Sequence, residues 1–67
     1  MIKLNRLNGQ GLVINAELIE LIEAKPDTII TLTTGDKYIV RDSIDAILEK
    51  VKRYKREINL NQFKEEE

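Results

Sequence analysis

Two β-branched runs separated by a short break set the pattern for the whole chain. Thr28 to Thr33 and Lys37 to Arg41 are rich in β-branched and aromatic residues, and Thr34-Gly35-Asp36 stands between them. Such a Gly-containing break between two strand-like runs predicts a β-hairpin. With Thr34 to Asp36 as the loop, Leu32 faces Tyr38 and Ile30 faces Val40, which gives one coherent apolar face. Asp42-Ser43 then ends the second strand. Ser43 is placed to cap a helix, and Asp45 puts negative charge at its positive end. Ile44, Ile47, Leu48, Val51, Tyr54 and Ile58 recur at helical spacing, with charged residues largely on the other positions. An apolar hairpin face and an apolar helix stripe can bury each other, and that pairing is the predicted core.

The N-terminal half adds two more segments. Ile2 and Leu4 alternate with Lys3 and Asn5, Asn8-Gly9 is a turn dipeptide, and Leu12-Val13-Ile14 resumes as a strand, so residues 2 to 14 read as a first hairpin. Asn15 to Lys25 supports two readings. Leu18, Ile19, Leu21 and Ile22 sit at helical spacing, which fits a helix over 16–25. Pro26 disfavours helical backbone in the residue before it, and Pro26-Asp27 suits the centre of a type I turn. The preferred reading is one helical turn at Ala16 to Leu18, followed by a strand from Ile19 to Ala24 that pairs with Thr28 to Thr33. The expected fold is therefore α+β: a small antiparallel sheet or curled half-barrel of four to five strands with one C-terminal helix. Residues 1–58 form the single domain and residues 59–67 a polar, frayed and solvated tail.

That arrangement leaves a surplus of apolar side chains. Ile29 and Ile39 point away from the face that the helix covers, and Val13 and Ile22 are placed with them. One helix covers one face of a sheet, so the second set requires either closure into a small barrel or another protein surface. These four residues are the candidate interface, with self-association among its uses.

At 67 residues there is room for one domain. A lone core of this size supplies only about 3–5 kcal/mol. The chain has no cysteine and no histidine, so disulfides and the usual zinc ligands are lacking, as are the commonest general base and the thiolate nucleophile. Glu17, Glu20 and Glu23 recur every three residues, but no Gly-rich or Asp-rich loop accompanies them, and a solvated face outweighs a cation site. No catalytic residue, cofactor or metal is expected, and the protein is not expected to be an enzyme. Eleven basic and twelve acidic residues nearly cancel, which gives no global attraction to nucleic acid. Lys50, Lys52, Arg53, Lys55 and Arg56 form a candidate basic patch on the helix, although cations near a helix C-terminus also complement its dipole. A small nucleic-acid-binding (RNA-binding) β-barrel using this patch is the alternative reading, and one phenylalanine offers little for base stacking. No apolar run is long enough to span a membrane, and the N-terminus lacks the apolar core of a signal peptide, so a cytoplasmic location is expected.

The ordered set Met1 to Gly9, Asn15, Ile19-Glu20, Pro26-Asp27-Thr28, Ile30-Thr31-Leu32, Gly35, Tyr38-Ile39-Val40 and Ser43 resembles the FlbD family of small bacterial flagellar proteins. The resemblance covers about residues 1–58 without gaps. Gln10-Gly11-Leu12 departs from the family's pattern, and the acidic tail lies outside it. The resemblance implies a cytoplasmic, non-enzymatic role in flagellar motility, in swarming and in the power the motor delivers, at the inner face of the membrane near the flagellar base. It also implies a flagellar motor or assembly protein as partner.

Overall fold

The computed structural model describes the backbone of residues 1–66 and the side chains of residues 1–58. Five strands and one helix follow in order: β1 (Ile2–Asn5), β2 (Gly11–Ile14), β3 (Ile19–Ala24), β4 (Thr28–Leu32), β5 (Lys37–Val40) and α1 (Ile44–Glu66). A 3-10 turn at Ala16–Leu18 precedes β3, and Asn15 caps it by accepting a bond from the Glu17 N–H. The single turn followed by a strand is thus the reading of residues 16–24 that the fold adopts. The polar tail continues α1 to Glu66 along the backbone; its solvation and fraying lie outside the described residues.

β1 and β2 form a two-stranded sheet, and β3-β4-β5 form a three-stranded one, all antiparallel. The two meet where Arg6 bridges Val40 and the Arg41 N–H donates to the Asn5 carbonyl at 2.7 Å. The strands are not closed into a barrel, since no ladder joins β2 to β3.

Two hairpins turn through the same loop geometry. In the first, the Gly9 N–H donates to Arg6 O and the Arg6 N–H to Gln10 O; in the second, Gly35 N–H donates to Leu32 O and Leu32 N–H to Asp36 O. Each loop therefore holds three residues and ends on a glycine at positive φ, +92° for Gly9 and +96° for Gly35. This is the three-residue loop in which a turn is followed by a left-handed glycine. The departure at Gln10-Gly11-Leu12 does not disturb the first hairpin. The second loop is Thr33-Thr34-Gly35, one residue earlier than the sequence suggested. Register consequently shifts by two: Ile30 pairs with Tyr38 and Thr28 with Val40. A two-residue shift preserves which side chains share a face, so the apolar face survives the change. The left-handed conformation needed at Gly35 decides where the loop ends. Lys25-Pro26-Asp27 closes the β3–β4 hairpin with Lys25 N–H on Asp27 O instead of the predicted type I turn, and its Lys25–Pro26 bond is cis.

Among the described residues eight apolar side chains are buried: Ile2, Leu4, Ile14, Ala16, Ile30, Leu32, Val40 and Ile47. Leu12, Leu18, Ile19, Ile22, Tyr38, Val51 and Tyr54 pack around them. Ser43 starts α1 as read from the sequence, its hydroxyl accepting from the Ala46 N–H.

Replacing Gly35 with alanine tests the loop. A Cβ there meets nothing within 4 Å, so the cost is backbone conformation alone, about 1 kcal/mol. Chemical denaturation is expected to show that loss for Gly35→Ala and a smaller one for Gly35→Asn, because asparagine tolerates positive φ.

Candidate interaction surface

Strand alternation sorts the three-stranded sheet into two faces. Thr28, Ile30 and Leu32 of β4 point inward and are buried, while Ile29 and Thr31 point outward and are half-buried. On β5, Val40 is buried and Tyr38 half-buried, with Lys37 and Ile39 exposed on the opposite face. Leu21 and Glu23 supply the third column from β3. Ladder pairing fixes the grid: Glu23, Ile29 and Ile39 form one cross-strand row, and Leu21, Thr31 and Lys37 form the next. Leu21 is 48 % exposed and Ile39 46 %.

Of the four candidate interface residues, Ile29 and Ile39 lie side by side on this face. Val13 is 61 % exposed but belongs to β2, in the other sheet. Ile22 is the correction: it pairs with Ile30 and packs against the core. The cause is a register irregularity between Ile19 and Leu21, which inserts Glu20 into β3. A bulge reverses the side-chain alternation, so Ile19 and Ile22, three apart, both turn inward. Leu21 takes the outward place. The same irregularity explains the helix-like spacing of this segment, because a bulged strand also presents positions three apart to one side.

The candidate basic patch does not survive as a set of five. Lys50 is occupied: its ammonium donates to the Lys3 carbonyl at 2.6 Å and to Asp42 Oδ2 at 3.1 Å. The other Asp42 oxygen accepts from the Asn5 N–H at 2.7 Å. Helix, β1 and the β5–α1 corner are thereby tied through one carboxylate, whose side chain is only 8 % exposed. Lys52, Arg53, Lys55 and Arg56 remain exposed. Arg53 borders an open groove of about 420 Å³ between β1 and α1, together with Met1, Ile2, Tyr54 and Glu57. The tie had one sequence signal, the eight-residue spacing of Asp42 and Lys50 around a helix start, but its third member, β1, is remote in the chain.

Tyr38 and Tyr54 pack against the core, and the Arg6 guanidinium lies 5.8 Å from the centre of the Tyr38 ring. Glu17, Glu20 and Glu23 are all exposed. Among the described residues no group of acidic side chains gathers as metal ligands would, and no helix is long and apolar enough to cross a membrane.

Residues 1–59 match the family of flagellar and swarming motility proteins called FlbD. This chain belongs to the FlbD family. The match spans the five strands and α1 through its core-packing positions. No curated protein and no solved structure matches the chain.

The tie also predicts a pH dependence. Burial opposes ionisation of Asp42, but the Asn5 N–H and the hydrogen bond and charge of Lys50 together outweigh it and hold the carboxyl below the ordinary value of 3.8. With the folded-state value depressed, this carboxylate contributes stability above the unfolded-state value, and the contribution fades as pH falls through the folded-state one. Asp42→Asn keeps an oxygen for the Asn5 N–H while removing the charge. Denaturation midpoints measured between neutral pH and pH 3 are expected to fall less steeply in this variant than in the parent.

Proposed function

We propose that this FlbD-family protein works in flagellar motility and swarming as a non-enzymatic, cytoplasmic binding module. It meets a flagellar motor or assembly protein, or another copy of itself, through the outer face of β3-β4-β5. The observation carrying this reading is the grouping of Leu21, Ile29 and Ile39 on one face of the sheet, a face that no other described side chain covers well enough to bury Leu21 or Ile39. Apolar side chains grouped on an exposed sheet face fit a surface that another protein covers. The residue content supports the non-enzymatic part, since the chain has neither histidine nor cysteine to serve as base or nucleophile. Nucleic-acid binding is the weaker reading: the net charge is −1, and Lys50 is spent on Asp42 and Lys3.

Ile39→Ser tests the proposal. The side chain is nearly half exposed, so its loss from the fold is modest, about 1 kcal/mol or less. Cells carrying Ile39→Ser as their sole copy are expected to swarm poorly while the protein stays folded and at parental abundance. Normal swarming by such cells would remove this face from the function.

A further inference from the structure

The outer face of β3-β4-β5 carries a charge arrangement that selects its occupant. Glu23 and Lys37 stand at opposite corners of the grid, one on each flanking strand and one in each row. Leu21 and Ile39 hold the other two corners, with Thr31 and Ile29 between the columns. Both charged residues are exposed, and neither forms an ion pair with any described residue. From these positions we infer that the face is self-complementary and that it receives a second copy of the same chain across a two-fold axis, an inference that rests on the interaction surface proposed above.

The geometry chooses among axes. In face-to-face dimers of sheets the two-fold lies in the plane between them, and each contact occurs twice. Rows are about 7 Å apart along the strands and columns about 5 Å apart across them. An axis parallel to the strands sets Glu23 on Ile39 of the second copy and Lys37 on Leu21, covering each charge with an aliphatic group. An axis perpendicular to the strands does the same with the partners exchanged. Both arrangements desolvate two acids and two bases without compensation. A diagonal axis, at right angles to the line from Glu23 to Lys37, sets each Glu23 against Lys37 of the other copy. It also brings Ile39 over the neighbourhood of Ile29, and Leu21 over that of Thr31. The strands then cross steeply, as in orthogonal sheet packing. Two ion pairs flank one apolar strip.

The six-residue face is small beside the roughly 800 Å² per partner of a stable dimer. The association is accordingly weak and concentration-dependent.

Sedimentation velocity over micromolar to millimolar protein tests the inference, with circular dichroism as the check on folding. The parent is expected to pass from monomer to dimer across the series. Glu23→Lys alone and Lys37→Glu alone each turn two attractions into two repulsions and are expected to weaken the dimer about tenfold. The double variant Glu23→Lys/Lys37→Glu restores both pairs with their signs exchanged and is expected to dimerise like the parent. A parent that stays monomeric at millimolar concentration overturns the inference. So does a dimer indifferent to both single changes, or a double variant no better than the singles. If the parent is monomeric while Ile39→Ser still abolishes swarming, the face meets a different protein, and the proposed function stands without self-pairing.

Discussion

Four elements of this chain, drawn from both sheets and the helix, meet at one small point on which the fold depends. Leu4 of β1, Ile30 of β4, Val40 of β5 and Ile47 of α1 are the fully buried large side chains among the described residues, one from each of four elements. No pair of these elements could bury such a set alone, because a hairpin by itself is marginal in water and an isolated helix of this length gains little without a packed face. Burial at one shared point makes the pieces interdependent. It also limits what the chain can cover: one helix conceals one side of the sheet, and the other side is left to solvent or to a partner.

The polar stitching is concentrated at the corner beside that core. Asp42 holds the Asn5 N–H and Lys50 together, Lys50 reaches the Lys3 carbonyl, and the Arg41 N–H meets the Asn5 carbonyl. These bonds satisfy the edge of β1 where it leaves the two-stranded sheet, an edge that would otherwise invite pairing with another chain. With that edge occupied by the chain's own groups, the outer face of β3-β4-β5 becomes the more open route to association. A lysine that composition assigns to a surface patch is in effect part of the scaffold, and this weakens any phosphate-gripping role for the helix.

Much of the architecture was legible along the chain because its causes are local. Asn15 and Ser43 act through bonds two and three residues away, and the glycines of both hairpin loops act through their own φ. Period-two and period-3.6 patterns identified the strands and α1. Ile29 and Ile39 could be placed outside the core because a register shift of two leaves face membership intact. Ile22 and Leu21 were exchanged because a single extra residue, Glu20, flips the alternation, and the strand pattern from Ile19 to Ala24 carries no local signal of where a bulge interrupts it.

The sequence by itself determined the kinds of element, their order, their caps and which side of β1, β2, β4 and β5 is apolar, since these follow from backbone preference and side-chain alternation within a few residues. Only the tertiary structure decided the register of the second hairpin, the inward turn of Ile22 and the capture of Lys50 by Asp42 and Lys3. Each of those depends on where segments far apart in the chain come to rest against one another, and such placement is fixed by packing around a common core, not by any local preference.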